Sequence, residues 1–553
     1  MRPFGAWTAC LLCGLLPAAA GAASREITVE HRYLNLPVKT GAPKHRMRYV
    51  LGDNTVREFD IELADGAPGF WVFDDVSEWK GKKLRIEVDG VAPDFKGLAA
   101  VEQGDGIKGA ENLYKEKYRP QFHYTSRRGW LNDPNGLVYS DGEYHLFYQH
   151  NPYGCIPANM HWGHAVSPDL VHWKELPEAL YPRRFDDWCF SGSAVEDKDN
   201  TSGLRAGEAK PLVAAYASTG RGECIAYSTD RGRCWADFKD DPVVKHQGRD
   251  PRLLWYEPAK HWVMAVYDET DGKRWVAFYT SPDLKKWEFQ SRIEGFYECP
   301  DLFEAPVEGG DGARKWVLYS GDAQYAVGDF DGKTFKPDAP GKQRLWYGYF
   351  YAAQTFSGAP DGRRVQIGWG NSWDGNVGFP GMPFNQQMAF PVRLTLHKTA
   401  DGVRMFAEPV QEIDALHTKK HAVADRTLKP GDNPLADVSG DLFDIRAEFE
   451  PGDGAAFGFT VRGVPVVYDV KKQEISCKGV TAPLQPEDGT VRLRLLVDRC
   501  SVEIFGNGGR VALSVAVIPA DDNHSLEVFS HGGATHLRSL EAFEMKSAWE
   551  ALP

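Results

Sequence analysis

The sequence predicts an all-β protein in which a five-bladed β-propeller lies between a small N-terminal β domain and a C-terminal β-sandwich. Two observations carry this prediction. Apolar and polar residues alternate in short runs bounded by Gly, Asp and Pro, which is the pattern of half-buried strands. A Ser-x-Asp phrase followed by Trp also recurs in the middle of the chain, as expected of a fold built from repeated sheets. No segment has a helix-rich pattern.

Residues 1–22 have the layout of a secretory signal peptide. Arg2 precedes an apolar stretch from Ala6 to Ala20, and the stretch ends in the small residues of Ala20–Ala22. We therefore expect cleavage near Ala23 and export to the periplasm, the cell surface or the medium. No later apolar run approaches the roughly 20 residues of a membrane-spanning helix, so no membrane partner is expected.

Residues 23–114 are expected to form the N-terminal β domain. Period-two alternation is clear in Arg57–Leu63 and in Leu84–Val88. The polar, loosely helical stretch Glu111–Lys117 is a connector to the next domain. Aromatic residues in Phe70–Phe73 and at Trp79 are either strand core, which we favour, or a binding face.

Residues 115–400 are expected to form the propeller. The repeated phrase occurs at Ser167–Trp173, Ser228–Trp235 and Ser281–Trp287. A repeat of about 40 to 60 residues is typical of propeller blades, each a four-stranded sheet. At that period this region provides five blades. The Ser-x-Asp turns are predicted to cap themselves over the Trp and to serve the architecture rather than catalysis.

Residues 401–553 are expected to form the β-sandwich. Their alternating strands are longer, as in Val491–Phe505, and a turn at Gly506–Gly509 would close a hairpin.

The composition is that of a folded globular protein and disfavours several ligand classes. Charged residues make up 25% and hydrophobic residues 42%. The net charge is −13 and no polybasic run occurs, which argues against nucleic acid and polyanionic partners and favours a neutral substrate. The 17 Trp, 22 Tyr and 29 Phe suit strand packing, and their ring faces also suit sugar binding. The sequence leaves the oligomeric state open.

Cysteine and histidine spacing predicts no metal site and no cofactor. There is no CxxC pair and no HExxH. Seven cysteines follow the expected signal peptide, an odd number that leaves at least one free. Cys224 and Cys234 flank a turn, where a disulfide and burial as small apolar side chains both remain open.

Three carboxylates lie just ahead of prolines, in Asn132–Gly136, Arg249–Pro251 and Glu298–Pro300. A residue before proline is pushed toward extended geometry, and proline cannot donate within a central sheet, so these sites are expected at strand ends. Inner strands of successive blades point toward one axial cavity, where the acids would converge. Two or three acids in one pocket, with an Arg beside them, is what cleavage of a glycosidic bond requires.

Seven motifs in this order resemble glycoside hydrolase family 32, from about Arg119 to the C-terminus. They are Trp130–Gly136, Phe147–Gln149, Trp162–His164, Phe190–Ser193, Arg249–Pro251, Glu298–Pro300 and Gly368–Gly370. The family comprises invertases, inulinases and levanases with a five-bladed propeller and a β-sandwich.

The resemblance implies roles for the three acids. Asp133 would be the nucleophile, Glu298 the acid/base and Asp250 the stabiliser of the transition state, with Arg249 keeping Asp250 charged. A retaining double displacement needs the first two carboxyl groups roughly 5 to 5.5 Å apart.

The resemblance also implies a subsite for the terminal fructose. Its residues would be Asn132, Gln149, Trp162, Ser191, Arg249 and Trp369, with the two Trp rings as apolar walls.

Within the family, Leu131 and the stretch Phe379–Gln387 resemble the bacterial levanases and exo-inulinases rather than plant or yeast invertases. The implied activity is exo-hydrolysis of levan or inulin, and of sucrose. A fructosyl-transferring or endo-acting relative remains open, because water and a sugar hydroxyl compete for the same intermediate. A non-catalytic fructan-binding lectin is a further alternative. So is a sialidase-like propeller, since Ser228–Trp235 is close to an Asp-box turn.

Overall fold

The structure, a computed structural model, describes residues 21–370 and 379–551. Residues 1–20 of the expected signal peptide lie outside the described residues, and so do Cys10 and Cys13. The chain divides into two units, Met1–Lys108 and Gly109–Pro553.

The first unit consists of two antiparallel sheets, as expected of a small β domain. The four-stranded sheet has the spatial order Ala23–Thr28, Lys83–Val88, His45–Leu51 and Asn54–Ile61. The three-stranded sheet has the order Phe70–Asp75, Tyr33–Val38 and Glu102–Gly104. Alternate residues of both sheets are fully buried, among them Leu36, Tyr49 and Val72. Trp79 is also buried, at 5% exposure, which fits the core role, whereas Phe70, Trp71 and Phe73 are only half-buried.

The second unit begins with five four-stranded antiparallel blades. Blade 1 is Gly129–Ser140, Glu143–Asn151, His161–Ser167 and Lys174–Leu180. Blade 2 is Cys189–Glu196, Leu212–Ser218, Gly222–Ser228 and Ala236–Asp237. Blade 3 is Gly248–Tyr256, His261–Asp268, Trp275–Ser281 and Glu288–Glu294. Blade 4 is Asp301–Glu308, Arg314–Tyr319, Gln324–Phe330 and Phe335–Pro337. Blade 5 is Tyr351–Thr355, Arg364–Gly370, Val392–Thr399 and Gly402–Pro409. Three short strands extend these sheets: Gln343–Arg344, Phe384–Asn385 and Gln387–Met388.

The first strand of each blade lies innermost, and these five strands form a closed ring. Each contacts the first strand of the next blade, and that of blade 5 contacts that of blade 1. Val138 and Ser357 form a parallel bridge at this closure. The predicted five-bladed propeller is therefore confirmed. Its last strand ends at Pro409, beyond the boundary at 400 taken from the sequence, because Gly402–Pro409 pairs along its whole length with Val392–Thr399.

The Ser-x-Asp turns join the third and fourth strands of blades 1, 2 and 3. In blade 3, the Asp283 carboxylate accepts hydrogen bonds from Ser281 Oγ and from the backbone N–H groups of Lys285 and Lys286. Trp287 Nε1 donates to the carbonyl oxygen of Leu284 beneath the turn, at 3.0 Å. The turns of blades 1 and 2 repeat this pattern. Self-capping turns over a Trp are thus confirmed as architecture.

The sandwich pairs a seven-stranded sheet with a five-stranded one. The larger sheet has the order Trp346–Gly348, Val511–Ala516, Ser501–Gly506, Val491–Asp498, Phe443–Glu450, Thr535–Met545 and His417–Leu428. The smaller has the order Val480–Pro483, Glu474–Cys477, Val464–Asp469, Ala456–Val461 and Leu526–His531. The edge strand Trp346–Gly348 comes from the link between blades 4 and 5, so propeller and sandwich share one sheet.

Helical structure is confined to short turns in the described ranges. There is one α-helical turn, Lys96–Ala99, and the 3₁₀ turns are Ser77–Trp79, Ala110–Asn112, Glu257–Ala259, Thr270–Gly272, Pro360–Gly362, Gln411–Leu416 and Ala548–Ala551. Among the described residues we find no helix with the length and apolarity to cross a membrane.

The described cysteines are seven free thiols. Cys224 is buried within blade 2, whereas Cys234 is exposed in the turn after its third strand. The cross-hairpin disulfide left open by the sequence is therefore not formed.

Candidate functional site

The predicted site residues gather at the starts of the inner strands, where the strands are irregular. The pairing register of the first strand shifts at Leu131/Pro134 in blade 1 and at Cys189/Gly192 in blade 2. It shifts again at Arg249/Arg252 in blade 3 and at Tyr351/Gln354 in blade 5. Bulges re-aim side chains out of the ladder. Four blades thus turn polar side chains toward one end of the channel, and blade 4 contributes Glu298 just before its first strand.

Asp133 is held by hydrogen bonds to both carboxylate oxygens. Ser191 Oγ, from blade 2, donates to Oδ2 at 2.6 Å, and Asn132 Nδ2 donates to Oδ1 at 3.0 Å. Asn132 is itself oriented by Trp130, whose Nε1 donates to the Asn132 side-chain oxygen at 2.8 Å. These donors fix the direction of the carboxylate and favour its ionised form.

Asp250 and the Cys299 before Pro300 adopt left-handed backbone conformations, with φ of +66° and +51°. The extended geometry expected of pre-proline residues is therefore wrong at both positions. Such conformations are strained for residues with a Cβ atom and persist only where the surroundings impose them. Here the Cys299 backbone N–H donates to Asp250 Oδ2 at 3.0 Å, so each strained residue helps to hold the other.

The Cys299 thiol lies between two of the acids. Its Sγ is 3.4 Å from Asp250 Oδ2 and 3.8 Å from Asp133 Oδ2. Burial, reinforced by the negative fields of Asp250 and Asp133, raises the thiol pKa well above its usual value. The thiol therefore stays protonated and has one hydrogen to donate to either carboxylate.

Glu298 accepts hydrogen bonds from two blades. Arg249 donates to Oε2 through Nη2 and through Nε, the latter at 3.0 Å. Tyr351 Oη, from blade 5, donates to Oε1 at 2.6 Å. Arg249 thus pairs with Glu298, and its Nε remains 3.8 Å from Asp250. Arg249 still lowers the pKa of Asp250, but burial and the fields of Asp133 and Glu298 outweigh it, so the expectation that Arg249 keeps Asp250 charged is wrong.

The electrostatics follow from placing three carboxylates in a buried space. Burial and the fields of Asp133 and Glu298 raise the pKa of Asp250 to about 8, although Arg249 and the Cys299 N–H oppose this. Burial also raises the pKa of Asp133, against the effect of its donors Ser191 and Asn132. Like charges at close range cannot all ionise, so the three acids share a proton at neutral pH.

Trp369 forms a half-buried aromatic side of the site. Its ring meets those of Trp130 and Tyr351 edge to face, with centroids 6.2 and 6.4 Å apart. Its Nε1 donates to the side-chain oxygen of Gln386 at 3.1 Å. This arrangement holds the Trp369 ring in place beside Tyr351.

Trp162 and Gln149 are placed differently from the expectation. Trp162 is only 1% exposed, packs against Phe147 and donates through Nε1 to the carbonyl oxygen of Phe190. Its role as a pocket wall is therefore wrong, because the ring is buried in the apolar core between blades 1 and 2. Gln149 is 3% exposed and donates to the carbonyl oxygen of Cys189, so it supports the strand that carries Ser191.

One cluster outside this pocket has a geometry that a metal ion could use. Asp414, His417 and Asp444 bring ligand atoms within 4.8 Å of one another in the sandwich. Asp444 already accepts hydrogen bonds from His417, Arg446 and Arg494. Its pKa lies well below the usual range, because these cations outweigh the effect of burial. The arginines already supply the positive charge that a metal ion would bring.

Two functional contacts were missed by sequence reasoning. Tyr351 has no motif around it, and only the bulge that turns it toward Glu298 reveals it. Gln386 was quoted within Phe379–Gln387, but its contact with Trp369 depends on a fold-back that a linear pattern does not contain.

Comparison with known proteins gives consistent matches. The profile of the "Glycosyl hydrolases family 32 N-terminal domain" matches residues 123–409, and that of the "Glycosyl hydrolases family 32 C terminal" matches residues 412–544. A levanase of Bacillus subtilis (strain 168) is 40% identical over 495 residues, covering 80% of this chain and 72% of that protein. An extracellular exo-inulinase of Aspergillus ficuum is 33% identical, covering 80% of this chain and 97% of that protein. The crystal structure of exo-inulinase from Aspergillus awamori matches with a TM-score of 0.73 and 31% identity, covering 79% of this chain and all of that one.

Proposed function

The chain belongs to glycosyl hydrolase family 32, and from that membership we propose that its pocket releases terminal β-D-fructose from levan, inulin and sucrose. The names of its relatives, a levanase and an exo-inulinase, support this substrate class. The observation that carries the proposal is that Asp133 and Glu298, from blades 1 and 4, are each fixed by their own donors in one pocket. Two fixed carboxyl groups are what double displacement at a sugar requires.

In the first step Asp133 is the nucleophile. One of its oxygens forms a bond to the anomeric carbon of fructose, while the bond from that carbon to the leaving oxygen breaks. Glu298 gives its proton to the leaving oxygen. The donors Ser191 and Asn132 prepare Asp133 for this step, because they stabilise the negative charge that attacks.

In the second step Glu298 acts as a base. It takes a proton from water, the water oxygen bonds to the anomeric carbon, and the ester bond to Asp133 breaks. Tyr351 and the Nε and Nη2 atoms of Arg249 donate to Glu298, and these donors stabilise the carboxylate that is left once the first step has taken its proton. Two inversions at one carbon give net retention.

Asp250 and Trp369 are assigned to the fructose ring. Asp250 hydrogen-bonds ring hydroxyl groups as charge develops in the transition state, and its orientation is set by the Cys299 N–H. Trp369 offers an apolar surface for the C–H face of the sugar. Asn132, Ser191 and Arg249 act on the substrate chiefly through the two carboxylates that they hold.

The test is product analysis with levan, inulin and sucrose. Purified protein is expected to release fructose progressively from all three, and Asp133→Asn is expected to abolish the release. Asp437→Asn, the same change at an exposed sandwich position, is the matched control and should leave the rates unchanged. Short oligosaccharides as first products would mean endo-action, and longer ones at high sucrose would mean fructosyl transfer. Binding without any release would mean a lectin.

We further propose that the protein is exported. The charged, apolar and small-residue regions of residues 1–22 support this, as does the extracellular exo-inulinase among its relatives. Expression of the full chain in a secreting host, followed by N-terminal sequencing of the product, should give a mature start near Ala23. A product that keeps Met1 and stays in the cells would contradict export.

A further inference from the structure

The propeller has a second cavity at the opposite end of its channel. The catalytic side chains lie at the starts of the inner strands, whereas this cavity is lined by the last residues of the inner strands of blades 1, 2 and 3, together with residues of blades 4 and 5. It has a volume of about 390 Å³, and its lining includes Tyr139, Glu196, Trp255, Glu304 and Gly358, one from each blade. That size lies in the range of small-ligand sites.

Buried polar groups of blades 3, 4 and 5 adjoin the second cavity, whose lining includes Arg252. Arg252 is 2% exposed, and its Nε lies 2.8 Å from the fully buried Asp301. Arg252 also donates to the carbonyl oxygen of Thr355, and the Thr355 N–H donates to Asp301. These residues join the neighbouring blades 3, 4 and 5. Asp133, Asp250 and Glu298 do not line the second cavity, so it is a site separate from the catalytic pocket.

Aromatic rings form part of its wall. Trp255 and Trp316 are both half-buried and come from the neighbouring blades 3 and 4. The buried Trp262 packs edge to face on Trp255, with centroids 5.0 Å apart, and holds that ring in place. Fixed, partly open indole rings suit the C–H faces of sugars.

Hydrogen-bond donors and acceptors complete the wall. Arg364 donates through Nε to the carbonyl oxygen of Glu304 and has no ion pair with any described residue. Glu196, Glu257 and Glu304 also line the cavity. Lys210, Lys260 and Arg314, which lie outside the lining, already pair with Glu196, Glu257 and Glu304. The wall therefore offers paired donors and acceptors, which suits a neutral polyhydroxyl ligand that accepts from the guanidinium and donates to the carboxylates.

We propose that this cavity is a second carbohydrate site that binds a neutral fructan segment, at the propeller end opposite the catalytic pocket. The choice of fructan as the sugar rests on the proposed function. A polymer held here stays near the enzyme between cleavage events, so the site lowers KM for levan and does not affect sucrose, which is too short to reach both sites.

The binding test uses the full chain carrying Asp133→Asn, with nystose as the probe in titration calorimetry. Two nystose molecules are expected per protein. Adding Trp255→Ala or Trp316→Ala, which act from separate blades, should reduce this to one, and Trp255→Phe, which keeps an aromatic face, should retain two. One molecule bound by the parent, or two bound by both Ala variants, would overturn the proposal. Displacement of the second nystose by inorganic phosphate would also overturn it, because the site would then prefer anions to neutral sugars.

Kinetics with Asp133 intact give the second test. Trp255→Ala is expected to raise KM for levan several-fold while kcat/KM for sucrose stays within twofold of the parent. If the KM for levan were the same in Trp255→Ala and in the parent, the proposal would be overturned. The two proposals can fail separately. A parent that releases no fructose from any substrate would contradict the proposed function. A parent that releases fructose, with an Asp133→Asn form that binds a single nystose, would contradict only the second carbohydrate site.

Discussion

The orientation of Glu298 depends on three hydrogen bonds donated from other blades. Tyr351 donates to one carboxylate oxygen from blade 5, and Arg249 donates to the other from blade 3. Because neither donor shares a strand with Glu298, the position of the Glu298 carboxylate depends on how blades 3, 4 and 5 pack together. An acid/base must lie within hydrogen-bond reach of the leaving oxygen, so a small rotation of this carboxylate is costly to the rate.

Tyr351→Phe should therefore lower kcat without a large change in KM. Loss of a hydrogen bond to a charged group costs about 1.5 to 3 kcal/mol, which corresponds to a decrease of roughly 10- to 100-fold. The measurement is steady-state hydrolysis of sucrose. Tyr347→Phe, in the strand that joins the sandwich sheet, is the matched control and should retain the parent rate. A Tyr351→Phe variant with unchanged kcat and a reduced melting temperature would show a structural role only.

The pH dependence of the rate should have an alkaline limit near pH 8. Burial and two neighbouring carboxylates raise the pKa of Asp250 to about 8, so the three acids share a proton up to that pH. The first step needs a proton in the pocket, and raising the pH through this value removes it. The profile of kcat/KM for sucrose measures the limit. A rate that stays constant well above pH 8 would contradict this assignment.

The sequence was sufficient to find the acids but not their partners. Asp133, Asp250 and Glu298 are recognisable because each lies in a short motif beside proline, and a propeller brings such motifs together. The hydrogen-bond partner of Arg249 could not be predicted from the sequence. The carboxylate nearest in sequence is that of Asp250, whereas the nearest in space is that of Glu298. Trp162 was misplaced for a related reason: a motif identifies a conserved type of position but not the face of the strand on which the ring lies.

At the scale of elements, the propeller separates its structural turns from its functional bulges. The Ser-x-Asp turns lie between third and fourth strands, away from the axis, and their carboxylates accept only local donors. The bulges lie at the starts of the inner strands, where pairing breaks and side chains can be redirected. The turns were predictable, since residue type and spacing alone define them. The bulges were not, since they depend on the register between strands.

Asp283→Ala should destabilise the protein without changing the chemistry. Three hydrogen bonds are lost, but the turn is partly open to solvent, so we expect a decrease of about 1 kcal/mol in the free energy of unfolding. These donors lower the pKa of Asp283 despite its partial burial. Its contribution is therefore full above pH 3.8, its ordinary pKa, and is lost as the pH falls through the lower folded value.

Urea unfolding at neutral pH and in acid measures this effect. Lys286→Ala is the matched control, because Lys286 supplies only its backbone N–H to the turn. The two variants should differ at neutral pH and converge in acid, and kcat/KM for sucrose should equal that of the parent in both. A loss of activity in Asp283→Ala would mean that the turn shapes the pocket.

At the scale of the whole second unit, the propeller and the sandwich are parts of one folded body. One apolar cluster includes Phe390 and Trp346 of the propeller region together with Phe505 and Trp549 from the sandwich part of the chain. Tyr114 stacks on Trp549 with ring centroids 4.1 Å apart, which explains why the second unit begins at Gly109 rather than at residue 115. The buried Asp498 adds a polar joint, accepting from the backbone N–H groups of Gln121 and Phe122 and from His123 Nδ1.

Asp498→Asn should weaken this whole unit and not the sandwich alone. The introduced amide N–H group faces the N–H groups that donate to Asp498 in the parent. Breaking a buried charged pair costs about 3 to 5 kcal/mol of folding free energy. Because the joint links both regions, we expect a single unfolding transition for them, shifted to lower denaturant. Trp fluorescence and far-UV circular dichroism during guanidinium titration should give coincident curves for this unit. A variant in which the propeller signal kept its parent midpoint would contradict the joint.

The same variant tests the pH dependence of the joint. Against the lowering effect of burial, Glu503 and Asp498 raise the pKa of His123 to about 9 from its ordinary 6.5. The imidazolium therefore stabilises the folded state fully below pH 6.5, and this contribution is lost as the pH rises through 9. The parent should lose stability over that interval, while Asp498→Asn, which has already lost the charged hydrogen-bond partner of His123 and keeps only Glu503, should show a smaller decrease. Equal decreases in the two proteins would mean that the joint does not titrate, and that packing alone connects the propeller to the sandwich.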